Sequence, residues 1–407
     1  MAASNESAGL HPLHRMWRVL PPRGRRRLVS SATALLAPRP DRPPPPPAGG
    51  LAVAGELGRA SGLGEVARLM LAGLEQLGIP RMALDLGTAI AAASRPPLPP
   101  PGMPLLLHVN APFLPLALLR MPRAMLRGRR VIGYWAWELP AVPPDWRVGA
   151  RFVHDVWALS RFTADALEPL LPGRVRVVLP PVAAAPPRPS ALDRAAFGLP
   201  DAAVLVLVSF SLASSLERKN PLAAIAAFRA AFGDRPDRVL LLKVGNPGDF
   251  PEDFARIRQA IGEAPNIRLE TRILPVADSH ALTRCADIVL SLHRSEGFGL
   301  VPAEAMLLGK PVVATGWSGN TDFMDAGNSA LIGYRLMPAR DPRGVFEAPG
   351  AVWADPDIGD AAARLRTLAD DAEARAAMGA RAQATVAARL GVGSLRDALA
   401  AAGVAAP

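Results

Sequence analysis

Short apolar runs alternate with stretches of helical periodicity twice over in this chain, and a proline- and alanine-rich joint, Pro180 to Pro189, separates the two rounds. An apolar run of four to eight residues fits a strand buried on both faces. In the first round Leu51 to Ala54, Met82 to Leu86, Leu105 to Val109, Arg130 to Trp135, Asp155 to Leu159 and Arg176 to Leu179 read as strands. Glu65 to Leu77 reads as a helix with Val66, Leu69, Met70, Leu74 and Leu77 on one face, and Thr163 to Leu171 as another. The second round repeats the pattern from Ala203 to Phe210 through the helix Pro221 to Phe232 and on to the strand Val312 to Ala314, with an Ala/Arg-rich helical remainder after Ile358. Strands alternating with helices imply parallel sheets covered on both faces. The expected architecture is α/β: two Rossmann-like, doubly wound domains facing each other across a cleft at the carboxyl ends of both sheets, where such folds bind ligands.

The expected domains are a first lobe over 49–185, a second over 186–385, and a C-terminal helix over 386–407 that crosses back to the first. Residues 1–48 end in the proline run Pro43 to Pro47 and are expected to be a flexible tail.

The chain has 407 residues, half of them hydrophobic, which is ample for two cores. No stretch reads as a membrane span: the longest candidate, Met103 to Leu119, is broken by Pro104, His108, Asn110, Pro112 and Pro115. No signal-peptide pattern is seen, and Cys285 is alone, so a cytosolic location is expected. The formal net charge is +10, and residues 1–50 carry Arg15, Arg18, Arg23, Arg25, Arg26, Arg27, Arg39 and Arg42 against Glu6 and Asp41. Such a tail is either a solvated extension or a peripheral contact with anionic lipid at the inner membrane face. Nucleic acid is not an expected partner, because no aromatic residues interleave with the basic ones.

The strongest motif is Ser295-Glu-Gly-Phe-Gly-Leu-Val-Pro-Ala-Glu304, which follows the apolar run Ile288 to Leu290 and opens a helix. Gly297 and Gly299 remove side chains where backbone must approach a ligand, and Pro302 suits a first helical turn. The N–H groups of the helix start can hold an anion. Glu296, before the turn, can accept hydrogen bonds from sugar hydroxyls. Glu304, further along the helix, can reach a ribose diol.

This string resembles the E-x7-E motif of the group 1 (family 4) retaining glycosyltransferases of the GT-B fold, and the resemblance runs from about residue 49 over most of the chain. Val53 to Arg68, with Gly62 and Gly64, is similar to the family's N-terminal glycine loop. Ile132-Gly-Tyr-Trp-Ala-Trp-Glu-Leu-Pro140 and Val156 to Thr163 are similar to a bacterial branch of it, Leu216-Glu-Arg-Lys-Asn-Pro221 resembles its phosphate-binding segment, and Ser318-Gly-Asn320 matches its small-residue loop. The resemblance implies that Glu296 contacts the donor sugar, that Glu304 binds the ribose, and that Arg218 and Lys219 neutralise the diphosphate without a metal or other cofactor. Phe298 and Leu300 fall inside the donor motif, and Lys243, at the end of a strand, is a further candidate for the phosphates. The nucleotide-sugar donor is a co-substrate, and the acceptor class is a glycan, a polysaccharide precursor or a glycolipid. Many members carry a His near His108-Val-Asn110 that contacts the donor sugar, and either His108 or Asn110 takes that place. Trp135, Trp137 and Glu138 follow a strand and are expected to face the cleft on the acceptor side, although both indoles fit a core equally well.

Two alternatives remain. Gly62-Leu-Gly64-Glu-Val-Ala67 with Asp85 fits the fingerprint of an NAD-dependent oxidoreductase, but Glu56 to Ser61 separate the strand from the first glycine. A non-catalytic sugar-nucleotide-binding protein on the same fold is the second. Asp355-Pro-Asp357 has the spacing of a metal-binding triplet, and its position favours a turn and helix cap.

Overall fold

The computed structural model describes residues 22–59, 61–87 and 96–404. The first lobe is built on six parallel strands: β1 (Leu51–Gly55), β2 (Arg81–Asp85), β3 (Leu105–Leu107), β4 (Val131–Trp135), β5 (Asp155–Ala158) and β6 (Val175–Val177). Their order is β2-β1-β3-β4-β5-β6, with Val53 opposite Ala83 on one side and Leu106 on the other. The central strands β1, β3 and β4 are buried at every position, as continuous apolar sequence requires of strands covered on both faces.

The second lobe has β7 (Val204–Ser211), β8 (Arg238–Gly245), β9 (Ile267–Glu270), β10 (Ile288–Ser291), β11 (Val312–Thr315) and β12 (Ala330–Ile332), in the order β12-β11-β10-β7-β8-β9 and again all parallel. In each sheet the strand order reverses at one place, between β1 and β3 in the first and between β7 and β10 in the second. Crevices open beyond the carboxyl ends of strands at such switch points. The two switch points feed one cavity.

One hydrophobic core runs through both lobes, joining Val66, Met70 and Leu74 of the first to Phe298, Ala303 and Met306 of the second. The C-terminal helix (Gly393–Ala401) adds Leu395 and Leu399 to it, and Ser394 Oγ accepts from the Leu179 amide at 3.0 Å. This helix therefore packs against the first lobe.

The flexible reading of the tail is corrected for its described part, and residues 1–21 lie outside the described residues. Pro22 to Leu36 form a helix, α1, whose Ser30, Ala34 and Ala37 side is buried. Small residues at i, i+4 and i+7 let α1 lie closely on α3 (Leu114–Leu119), where Ala34 shares a core cluster with Leu114 and Leu118. The Asp41 carboxylate then accepts from the Gly128 amide at 2.7 Å. A second departure is an antiparallel hairpin, β13 (Tyr334–Pro338) with β14 (Val352–Pro356), where the sequence reading has no element.

Candidate active site

The cavity between the lobes is about 1100 Å³. The first lobe contributes Gly62, His108, Asn110 and Glu138; the second contributes Arg218, Lys219, Lys243, Glu296, Gly297, Phe298, Gly299 and Leu300. Four of the expected residues do not line it: Gly64, Trp135, Trp137 and Glu304.

Arg218 and Lys219 sit on a four-residue helix, α5 (Leu216–Lys219), bounded by Ser215 at φ 75° and Asn220 at φ 52°. The two cations thus end a turn of their own and do not lie at the start of the long helix that opens at Pro221. Lys219 Nζ lies 2.5 Å from Glu296 Oε1, and Arg218 Nη1 lies 3.2 Å from Glu296 Oε2. The same Arg218 nitrogen donates to the Ser295 carbonyl at 2.9 Å, and its Nε donates to the Ser214 carbonyl at 3.1 Å.

Burial would raise the Glu296 carboxyl, but Lys219 and Arg218, helped by His293, outweigh it and hold the group down to about 2. Glu296 is therefore an anion between two cations, which is the charge arrangement a bound anion would extend. Its amide donates to Ser318 Oγ at 2.9 Å, and His293 beneath it meets Asn320 Oδ1 at 3.1 Å, so the Ser318-Gly-Asn320 loop supports it from below. His293 was missed in the sequence although it lies three residues before Glu296.

Glu138 reaches the cations from the first lobe. Burial raises its carboxyl above the ordinary range, with Arg218 and Lys219 pulling the other way and Glu296 adding to the rise. Ser295 Oγ donates to the Glu138 carbonyl, and Thr163 Oγ1 donates to the Trp137 carbonyl at 2.8 Å, next to Gly297. A Cβ on Gly297 would stand 3.1 Å from the Trp137 carbonyl, so Gly297 allows the lobes to touch there. Gly299, at φ 102°, starts helix α9 (Leu300–Leu307) in a conformation that favours glycine.

His108 is buried, stacks on Tyr134 with ring centroids 4.6 Å apart, and among the described residues neither ring nitrogen has a hydrogen-bond partner. Burial lowers its pKa to about 3, so the ring is neutral. Asn110 is the opposite case. Its amide donates to the Ala136 carbonyl and accepts from the Ala136 amide, both at 2.9 Å, and so bridges the ends of β3 and β4. Of the two, His108 is the one with free hydrogen-bonding capacity. Lys243 lines the cavity with its Nζ donating to the Arg272 carbonyl at 2.8 Å.

The placement of the tryptophans in the cleft is corrected. Trp135 is fully buried and meets Trp146 edge-on at 5.8 Å; Trp137 packs on Trp146 and Phe346, and its Nε1 donates to the Ala141 carbonyl. Both are core side chains that do not line the cavity, and Trp137 reaches the second lobe through Phe346. Gly64 is corrected as well: a Cβ there would meet the Glu56 carbonyl at 2.5 Å and the Arg59 carbonyl at 2.7 Å, so it packs the glycine loop onto its helix, α2 (Gly62–Gln76). Glu304 stands in the second turn of α9 outside the cavity lining. Asp85 accepts from the Leu57 and Gly87 amides at 3.1 and 3.0 Å, which commits it to shaping the loop. Asp355 pairs with Arg335, and Asp357 caps the next helix through the Asp360 amide.

Comparisons with known proteins point to the same kind of chain. Residues 204–355 match the family model of glycosyl transferases group 1. The D-inositol 3-phosphate glycosyltransferase of Nocardioides sp. is 31% identical over 183 residues, covering 42% of this chain and 39% of that protein. Its counterpart in Kineococcus radiotolerans is 32% identical over 234 residues, covering 52% and 47%. The chain spans under half the length of these curated relatives. Among solved structures, Anabaena HepE in complex with UDP-glucose superposes with a TM-score of 0.59 at 17% identity, covering 87% of this chain and 99% of that one. The chain thus has the GT-B fold of two facing α/β lobes, and its second lobe is similar to the glycosyl transferases group 1 over residues 204–355.

Proposed function

We propose that this chain is a glycosyltransferase that moves a sugar from a nucleotide-diphosphate sugar to a hydroxyl acceptor with retention of configuration. The observation that carries the reading is the Arg218–Glu296–Lys219 cluster at the cavity end of β7 and β10. As the bond between the anomeric carbon and the phosphate oxygen breaks, negative charge grows on the leaving diphosphate. Two fixed cations stabilise it more than they stabilise the intact donor, which lowers the barrier. They supply the positive charge that a metal supplies elsewhere, so no metal is assigned. The acceptor oxygen attacks from the same face, its bond to the anomeric carbon forms, and its proton passes to a diphosphate oxygen. Glu296 takes sugar hydroxyls, and neutral His108 donates or accepts at the sugar from the opposite lobe. Gly299 and the start of α9 hold the phosphates through backbone N–H groups.

A donor of this class is supported by the UDP-glucose bound to Anabaena HepE, and the transfer by the names of the curated relatives. The acceptor is a glycan, a polysaccharide precursor or a glycolipid. Peripheral contact with an anionic membrane, at its cytoplasmic face, is supported by α1: Leu28, Leu35 and Leu36 are exposed on it, and four arginines stand within its first six residues. Among the described residues no helix is long and apolar enough to cross a membrane.

The test is nucleotide release from a panel of UDP-, GDP- and ADP-sugars, with and without EDTA. Release from one donor, unaffected by EDTA, is expected. NADH binding without release from any donor would turn the reading to an oxidoreductase.

A further inference from the structure

Between β13 and β14 the second lobe extends an arm, residues 339–351, that belongs to neither parallel sheet. Its Phe346 is buried against the Trp137 indole of the first lobe, with ring centroids 5.9 Å apart and planes at 27°. Arg218 Cζ lies over the same ring, 4.8 Å from its centroid. The arm's Asp341 is also buried. One carboxylate oxygen accepts from Ser215 Oγ at 3.0 Å; the other accepts from the Val345 and Phe346 amides at 2.9 and 3.0 Å. Ser215 in turn accepts from the Arg218 amide at 3.3 Å, and Arg343 donates to the Leu212 carbonyl at 2.6 Å. Three arm residues therefore grip the segment 212–218 that carries the cation.

We infer that this arm is a positioning element for Arg218: Phe346 holds the guanidinium at the cavity, and Trp137 ties that placement to the seating of the first lobe. The physical reason is that an arginine has many rotamers of similar energy, and without a surface beside it the guanidinium can leave the Ser295 carbonyl for solvent. An aromatic face attracts a cation and selects one of those rotamers. Asp341 fixes the ring in turn by binding the Phe346 amide, and its second oxygen fixes Ser215, so ring and guanidinium are set by one carboxylate. What Arg218 binds follows from the proposed function; that the arm places it does not.

Two measurements on the full chain decide the matter. The first is a double-mutant cycle in urea unfolding between Phe346→Leu and Arg218→Met. Leucine keeps most of the packing and loses the ring face. The two losses are expected to be less than additive; additive losses overturn the proposal. The second is titration with UDP, GDP and ADP. For the nucleotide that wild type binds, Phe346→Leu is expected to weaken affinity by roughly 2- to 30-fold, with Phe346→Tyr close to wild type. A structural role alone would lower the urea midpoint in both variants and leave affinity unmoved, and that result also overturns the proposal. If wild type binds none of the three, the transferase reading fails and the cycle alone decides the arm.

Discussion

Lys219 Nζ and Glu296 Oε1 are 2.5 Å apart, and the opposite oxygen of that carboxylate faces Arg218 at 3.2 Å. One buried anion is therefore shared by two cations, Arg218 buried and Lys219 half-buried, and each substitution in the group has its own signature. Lys219→Ala removes a cation the leaving diphosphate needs, so turnover is expected to fall by roughly 100- to 1000-fold with weaker nucleotide binding. Glu296→Gln frees both cations, so turnover is expected to fall while nucleoside diphosphate binds no more weakly than in wild type. Unchanged turnover in Lys219→Ala would end the diphosphate assignment. The acid limb supplies a check free of activity. The folded Glu296 carboxyl is held at about 2 against an ordinary 4.5. A depressed carboxyl contributes stability that is present above 4.5 and is lost as pH falls toward 2. Wild type should lose more stability than Glu296→Gln over that window.

Gly64 and Gly62 lie two residues apart in the first turn of α2 and differ in what surrounds them. A Cβ at Gly64 meets two backbone carbonyls, at 2.5 and 2.7 Å, which cannot turn aside as a side chain can. At Gly62 the nearest atom is a Leu300 methyl at 3.9 Å. Gly64→Ala is expected to cost about 1–3 kcal/mol in urea unfolding, and Gly62→Ala much less. Equal effects would remove the packing account of the loop.

The architecture was legible because parallel strands buried on both faces must be written as continuous apolar runs, and the central strands of both sheets follow that rule. The donor-side residues were legible where neighbours in sequence are neighbours in space. Arg218 and Lys219 share one turn, and Glu296 to Leu300 share one strand-to-helix connection, so a single string places them at the cavity. Trp135 and Trp137 were not decidable, since an indole at a strand end suits a sugar platform or a core. The outcome rests on Trp146 and on Phe346, more than two hundred residues away. The arm itself has no local signal, because its value lies wholly in what it touches. α1 was hidden for a compositional reason: its arginines and the prolines after it read as a solvated tail, while the small residues that seat it carry little hydrophobicity.

His108 is neutral and has, among the described residues, no hydrogen-bond partner for either ring nitrogen, whereas Asn110 spends its amide on the Ala136 backbone. In the proposed reaction the sugar supplies the missing partner. His108→Ala is expected to lower turnover by ~10-fold or more, because a polar site on the substrate is then left unpaired. With its pKa lowered to about 3 by burial, the ring contributes no step near pH 6.5. The pH–rate profiles of wild type and His108→Ala between 5 and 9 should have the same shape and differ only in height. An inflection near 6.5 present in wild type and absent from the variant would show that the ring titrates in the working range, against its buried placement.

Glu304 is a half-buried acid, and among the described residues no cation acts on its carboxyl. Burial, with the charge of Glu65 added, raises its carboxyl from 4.5 to about 8. Glu65, on α2 of the first lobe, is itself paired with Arg68 at 2.6 Å, so it offers Glu304 no proton or cation in exchange. At neutral pH Glu304 is therefore mainly a protonated group that can donate as well as accept. The sign of the linked stability follows. Between pH 4.5 and 8 the unfolded chain has this carboxyl ionised while the folded chain keeps its proton, so unfolding releases a proton and stability falls as pH rises through that window. Glu304→Gln carries no such term. The thermal midpoint of wild type, measured against Glu304→Gln, is expected to decline from pH 5 to pH 8. A constant difference across that range would mean that Glu304 is ionised in the folded chain.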